Sequence, residues 1–437
     1  MPDDTSPRLA ESSSSHYVTS KSGGTTHLLP KPPLLVLQLT MEDNNQASSP
    51  ASATEGKPIQ CKAAVVRKAG EPLVIEEITV APPMPGEVRI RVICTSLCHS
   101  DITLRNLQDF PAIFPRILGH EATGVVESVG KDVTEVTKGD VVIPVILPEC
   151  GECIDCKSTK SNRCTIFPFK VSPWMPRDGT SRFTDKNGEI IYHFLFISSF
   201  SEYTVVDIAN IIKIDPEIPP DRACLLGCGV STGVGAAWRT AGVEPGSTIA
   251  IFGLGSIGLA VAEGARLCGA TRIIGVDFYP EKFEIGKKFG VTDFVHAGEC
   301  GDKPVSQFII EMTGGGADYC FECVGTASVV LEAYASCRKG WGKTIVLGVD
   351  KPGAMISLSS HEVLHDGKSL MGSLFGGLKP KSHVPILLKR YVDKELQLDE
   401  FVTHEVEFKD INKAFDLLST GKCLRCVIWM HKMSTHC

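Results

Sequence analysis

The chain has 437 residues, 44 Lys+Arg against 51 Asp+Glu for a formal net charge of −7, 43% hydrophobic and 22% charged residues. That length predicts two or three domains with cores of their own, and the balance is that of an ordinary globular protein, which excludes disorder as the main state. Basic residues are spread thinly, with Lys287-Lys288 the nearest approach to a cluster, so no nucleic-acid partner is expected.

Residues 1–56 form a polar leader, marked by Ser12 to Ser15 and the run Leu29-Pro30-Lys31-Pro32-Pro33, and are expected to be disordered. Three basic residues (Arg8, Lys21, Lys31) against six acidic ones argue against an organelle transit peptide, and no basic start precedes an apolar core. The seventeen cysteines are odd in number and closely spaced, which fits metal ligands in a reducing, cytoplasmic setting better than disulfides.

From 57 to 228 short β-rich segments at 62–67, 88–94, 124–129 and 140–144 alternate with turns and predict an irregular β domain. From 229 to 372 strands at 248–252, 272–277, 318–322 and 343–347 are spaced for helical crossovers, which predicts a doubly wound parallel α/β layer. The last segment, 373–431, is expected to return to the first domain. The uncharged 18-residue stretch 245–262 is long enough to raise a membrane span, but it contains four glycines around a turn and reads as strand, turn and helix start. No membrane partner is expected.

Three groups of residues carry chemistry. Cys150, Cys153, Cys156 and Cys164 are separated by two, two and seven residues, close enough to surround one ion. A closed four-thiolate set suits structural zinc, and the seven-residue gap fits poorly with an iron–sulfur run. Upstream, Cys98-His99-Ser100-Asp101 precedes Gly119-His120-Glu121, and Cys228 sits where the β-rich and α/β parts meet. Cys98, His120 and Cys228 would leave a fourth position open, the mark of a catalytic zinc. Third, Gly253-Leu254-Gly255-Ser256-Ile257-Gly258 follows an apolar strand and opens a helix, with Asp277 ending the next strand. Glycines there let a pyrophosphate approach the helix N-terminus, and the Asp277 carboxylate accepts from a ribose 2′-hydroxyl while repelling a 2′-phosphate, which favours NAD over NADP.

In this order and spacing the chain resembles the zinc-dependent medium-chain alcohol dehydrogenases, in particular the two-zinc alcohol dehydrogenase-like proteins of plants, over about 57–430. The resemblance implies a β-rich GroES-like catalytic domain beside a Rossmann domain. It also implies a homodimer with two zincs per subunit, one catalytic and one structural. The reaction implied is oxidation of a primary, hydrophobic alcohol to its aldehyde, and the reverse, with hydride transfer to NAD. Carried over by position, Cys98, His120 and Cys228 resemble the catalytic ligands, Glu121 a carboxylate that can reach the metal, and Asp101 the partner of His120. Ser100 would take the alcohol proton. Thr232, Gly348, Val349 and Phe375 would lie on the nicotinamide side, Lys282 and Asp277 at the adenosine ribose, and His99 and Arg425 at the phosphates. Val349 and Phe375 alone read as core side chains.

Two departures bear on the substrate. Ethanol-active members carry a histidine three residues after the relay hydroxyl, where this chain has Thr103, so the resemblance implies slow oxidation at low pH and rescue by imidazole. The glutathione-dependent formaldehyde branch is an alternative, but of its acid pair only Asp109 occurs, with Pro111 at the second position and Pro168 near its arginine position. Ile146, Phe194, Leu195, Val349 and Leu374 are apolar, which points to a hydrophobic alcohol. A catalytically silent zinc and dinucleotide binding protein, a redox sensor or scaffold, is the remaining alternative.

Overall fold

The computed structural model describes residues 54–109 and 112–431, so the leader expected over 1–56 lies almost wholly outside the described residues. In the strand Ile59–Val66 the first four residues alternate buried and exposed and the last four are all buried. The strand therefore enters from the surface and ends inside the core. It pairs antiparallel with Val74–Val80 and Arg116–Ile117, and Phe183–Asp185 and Ile190–Ile191 extend this five-stranded sheet beyond Val74–Val80.

A second sheet is organised around Glu87–Ser96, whose neighbours are Glu121–Val129, Tyr203–Asp207 and Arg425–Trp429. The last of these comes from the far end of the chain, so the C-terminal segment completes a sheet begun more than three hundred residues earlier. That pairing is what brings Arg425 alongside the segment leading to Cys98. Beneath this sheet Arg182 donates to Glu87 at 2.6 and 2.8 Å, a buried pair further tied to Asp178.

The third sheet is parallel, in the order Asp293–His296, Arg272–Asp277, Thr248–Phe252, Tyr319–Glu322, Lys343–Val346, Ser369–Gly372. Strand order reverses at Thr248–Phe252, and the crevice beyond the carboxyl ends at such a reversal is where open α/β sheets bind ligands. Tyr319–Glu322 is buried at all four positions, as a central parallel strand covered on both faces must be. The uncharged stretch 245–262 is the strand Thr248–Phe252, a glycine turn and the start of the helix Ser256–Leu267. Among the described residues no helix is long and apolar enough to cross a membrane.

Small residues join the two halves of the site. A Cβ at Gly233 would lie 2.4 Å from Ala260 Cβ and 2.6 Å from Ile257 O, and one at Gly264 would lie 2.8 Å from Val234 Cα. The helix Gly229–Gly235, which follows Cys228, thus lies almost backbone to backbone on Ser256–Leu267, whose Leu259, Ala260, Val261, Ala262 and Ala265 are fully buried.

Candidate active site

The strand Glu87–Ser96 ends at Ser96, and the helix His99–Asn106 begins two residues after Leu97, with Cys98 as its N-cap. Asp101, in the first turn, accepts from Cys98 N at 3.0 Å, which satisfies a donor the helix start would leave open. Its other oxygen accepts from Gly119 N at 2.9 Å and lies 3.2 Å from His120 Nδ1. One buried carboxylate therefore fixes both Cys98 and His120. With Nδ1 held by Asp101, His120 Nε2 is buried without a hydrogen-bond partner among the described residues.

That nitrogen belongs to a group in which Cys98, His120, Glu121 and Cys228 each offer a ligand atom, all within 4.8 Å of one another. The four side chains are buried, so an imidazole nitrogen and two sulfurs converge away from bulk water, a donor set that fits zinc. The Cys98 thiol is held well below its ordinary range by its hydrogen bond with Cys228, assisted by the charges of Arg425 and His120. Cys228 is raised for the converse reason, together with burial. Burial pushes Glu121 up to about 7, although the Arg425 guanidinium opposes it.

Arg425 is the bridge between the two halves. Its Nε donates to Glu121 Oε2 at 3.1 Å and its Nη2 to Oε1 at 3.2 Å, while Nη1 donates to the Ser256 hydroxyl in the glycine turn. Gly229 N also donates to Glu121, at 3.0 Å. Around the sulfur side, Ser100 Oγ lies 3.9 Å from Cys98 Sγ. The Phe194 ring stands edge-on to His120, with centroids 5.6 Å apart, and Leu195 and Ile146 are buried nearby in the same core cluster.

In the turn after Thr248–Phe252, Gly253 has φ +94°, and a Cβ at Gly258 would fall 1.9 Å from Gly253 O. The helix Ser256–Leu267 starts at Gly255 with no side-chain cap, which leaves its first N–H groups directed at the crevice. These features fit a dinucleotide pyrophosphate. Asp277 accepts from Leu254 N at 2.8 Å and pairs with Lys282 Nζ at 3.0 Å. Its other oxygen accepts from Tyr279 N at 3.0 Å and also meets Lys282 Nζ, at 3.2 Å, so its roughly four acceptor positions are in use and a ribose hydroxyl would take the place of Lys282.

Cys150, Cys153, Cys156 and Cys164 form the second group of mutually close ligand atoms. Backbone N–H groups point at the sulfurs, from Cys153 to Cys150 at 3.4 Å, Cys156 to Cys153 at 3.3 Å and Phe167 to Cys164 at 3.3 Å. Donors aimed at sulfur favour thiolates, and four of them fit one zinc.

Other residues singled out from sequence fall differently. Thr232 Oγ1 donates to Cys228 O at 2.8 Å, its own helix turn. Phe375 is core, and Gly376 beside it (φ +65°) packs against Gly235 and the Ser231 and Thr232 carbonyls, which seats that turn on the Cys228 helix. Val349 is not core: its side chain is 83% exposed, and it is the backbone at 348–349 that packs, against Gly325. His99 is exposed and is not among the hydrogen-bond partners of Arg425 or Ser256. Sequence reasoning missed the pairing of Glu121 with Arg425, for which residues 304 apart offer no local signal. It also missed Asn162, whose amide donates to Leu374 O and Leu378 O and ties the four-cysteine loop to the turn before Phe375.

Profiles described as "Alcohol dehydrogenase GroES-like domain" and "Zinc-binding dehydrogenase" match residues 84–216 and 256–392. The chain belongs to the zinc-dependent medium-chain alcohol dehydrogenases, oxidoreductases of small-molecule alcohols and aldehydes that use zinc and NAD. Among named relatives it is 70% identical to alcohol dehydrogenase-like 7 of Arabidopsis thaliana over 391 residues, 89% of this chain and all of the relative. Among solved structures it resembles an alcohol dehydrogenase zinc-binding domain protein of Burkholderia ambifaria (32% identity, TM-score 0.79, covering 85% of this chain and 99% of the other). It also resembles benzyl alcohol dehydrogenase of Acinetobacter calcoaceticus (27% identity, TM-score 0.77, covering 85% and 100%).

Proposed function

We propose that this chain interconverts a primary, hydrophobic alcohol and its aldehyde with NAD as hydride carrier, using zinc held by Cys98, His120 and Cys228 with Glu121 in reach. The observation that carries this reading is Arg425, which touches both Glu121 of the metal group and Ser256 of the glycine turn, so the two half-sites lie within one side chain of each other. Bound there, zinc would supply the Lewis acidity that makes a hydroxyl ionisable near neutral pH, and nicotinamide the hydride acceptor. Ser100 takes the alcohol proton, and Asp101 keeps His120 in the tautomer that presents Nε2. Arg425 and the uncapped helix start would hold the pyrophosphate, with Asp277 and Lys282 at the ribose, where Asp277 would repel the 2′-phosphate of NADP.

Phe194, Leu195, Ile146 and Leu374 supply the apolar surface that excludes water and favours a hydrophobic substrate, a choice in keeping with the benzyl alcohol substrate named for one structural relative. The four-cysteine loop would hold a second, structural zinc. A homodimer fits the outermost strand Ser369–Gly372, in which Met371 is exposed, and the exposed apolar residues Met355 and Leu364 in the chain leading to it.

The test is zinc content per chain and reduced-nicotinamide absorbance with a panel of primary alcohols, for wild type and Cys228→Ser. Two zincs with turnover, the variant losing one zinc and its activity, is the expected result. Two zincs and NAD binding without turnover of any alcohol or aldehyde would replace this reading with the silent binding protein.

A further inference from the structure

We infer that the molecule carries a second anion site, for a phosphate-class oxyanion, in the cavity between the four-cysteine loop, the helical segment Ala236–Ala241 and the chain from 371 to 383. The cavity measures about 250 Å³ and is lined by Lys160, Arg239, Lys379 and His383, with hydroxyls from Thr240 and Ser373. No carboxylate is among the lining residues. Lys160 and Arg239 reach solvent and Lys379 is partly buried, so the lining carries positive charge at the mouth of the cavity and is complementary to an anion.

Apart from Asn162, whose amide N–H₂ is spent on Leu374 O and Leu378 O, the lining offers donors. Lys379 is anchored to backbone carbonyls at Asp155 and Cys156 and not to an acid, so its charge is not cancelled. His383 Nδ1 accepts from Lys379 N at 2.9 Å, which places the proton of the neutral ring on Nε2, a donor. Thr240 and Ser373 share one hydrogen bond, 2.8 Å between oxygens, which uses one of their two hydroxyl protons and leaves the other to give. Burial lowers the His383 pKa, and the nearby charges of Arg239 and Lys379 lower it further. A set of cationic and neutral donors matches tetrahedral oxyanions, which accept several charge-assisted bonds at once. The space is several times the roughly 30 Å³ share of a water molecule, enough for the anion and a small ester arm.

This place is separate from the cofactor crevice. None of Arg425, Ser256, Asp277 or the glycine turn lines it. An occupant there would link Lys160 of the four-cysteine loop to Arg239 on the helical segment that follows Thr232, and so brace the loop against the cofactor half.

The experiment is calorimetric titration of the native metal-loaded oligomer with sodium phosphate and, separately, glycerol 3-phosphate. Sodium chloride of equal ionic strength serves as the reference, and each titration is repeated with NAD⁺ saturating. Saturable binding that persists with NAD⁺ and weakens at least about tenfold in R239Q and K160Q, with alcohol turnover unchanged in both variants, is expected. Both ligands weakened together names a phosphomonoester as the occupant, whereas phosphate alone names the free ion. Heat no greater than chloride, heat unchanged in R239Q and K160Q, or binding abolished by NAD⁺ would overturn the assignment.

Discussion

Gly233→Ala pits two effects of known size against each other at the joint between the metal half-site and the dinucleotide half-site. Alanine in a helix interior is favoured over glycine by about 1 kcal/mol, so the isolated helix Gly229–Gly235 would gain. Against this, the new Cβ stands 2.4 Å from Ala260 Cβ, 2.6 Å from Ile257 O and 2.8 Å from Val261 N, roughly 1 Å short of ordinary contact. Two of the three obstacles are backbone atoms of Ser256–Leu267 and cannot rotate aside. The helices must separate, and overpacking of this kind costs about 1–3 kcal/mol. With backbone atoms in the way the cost sits at the upper end and the clash wins, for a net loss of up to about 2 kcal/mol, or about 2–4 °C per kcal/mol in unfolding temperature for a domain of ordinary size.

The same separation moves Thr232 and Cys228 away from the glycine turn, so dinucleotide affinity falls with stability. Thermal unfolding and NADH fluorescence titration read the two effects. Adding Ala260→Gly removes the Cβ–Cβ contact but leaves the Ile257 carbonyl, so the double variant recovers part of the loss. A Gly233→Ala protein as stable as wild type, with unchanged NADH affinity, would show that propensity prevails and that the helix spacing does not position the site.

Asp101→Asn keeps the shape but leaves one of the donors at Cys98 N, Gly119 N and His120 Nδ1 facing an amide N–H₂; zinc affinity should fall about 10–100-fold in chelator competition, and equal retention would refute the role given to Asp101. Thr103 spends its hydroxyl on His99 O at 3.1 Å and is no base near neutral pH, so Thr103→His should raise alcohol oxidation at low pH. Imidazole should accelerate wild type more than this variant, and absence of both effects would remove Thr103 from the proton path. His193 is buried beside Arg182 and Arg116, and burial followed by those charges lowers its pKa to about 3, against 6.5 as the ordinary value. Below pH 6.5 the unfolded chain takes up a proton that the folded one refuses. This group therefore lowers stability by about 1.4 kcal/mol per pH unit down to about pH 3. In His193→Phe the acid slope of urea unfolding should drop by that amount, while stability at neutral pH falls because Arg182 N, which donates to His193 Nε2 at 3.1 Å, loses its acceptor; an unchanged slope would mean His193 does not carry the effect.

What the sequence made legible was whatever is short in range. The strand, glycine turn and helix from 248 to 267 are continuous in the chain, so glycine spacing and apolar texture carry them without tertiary help. The four-cysteine group lies within one loop for the same reason. Strand edges in the α/β half were legible to a residue or so, as with 318–322 against Tyr319–Glu322, whereas in the β-rich half 62–67 and 124–129 begin three residues inside Ile59–Val66 and Glu121–Val129. The Val349 side chain taken alone reads as core because hydrophobicity reports what a side chain prefers, whereas its exposure is set by a backbone held against Gly325. The Arg182–Glu87 pair and the neutral His193 above it depend on two sheets closing over each other, which no window of sequence contains.

The hidden pairing of Glu121 with Arg425 has the largest consequence for how the site works. The metal group contains two thiols and a carboxylate, and the guanidinium of Arg425, buried at 2% exposure, lies against both Glu121 and Cys98. Its remaining donor faces Ser256, where a pyrophosphate would meet the helix start. One positive charge therefore answers to two anions in two half-sites. Whatever draws Arg425 toward the glycine turn weakens its hold on Glu121, and by reciprocity whatever strengthens the negative charge of the metal group weakens the pull on the dinucleotide. On the proposed function, zinc at the metal group and a dinucleotide at the glycine turn would both act on Arg425, which a strand pairing between opposite ends of the chain holds in place.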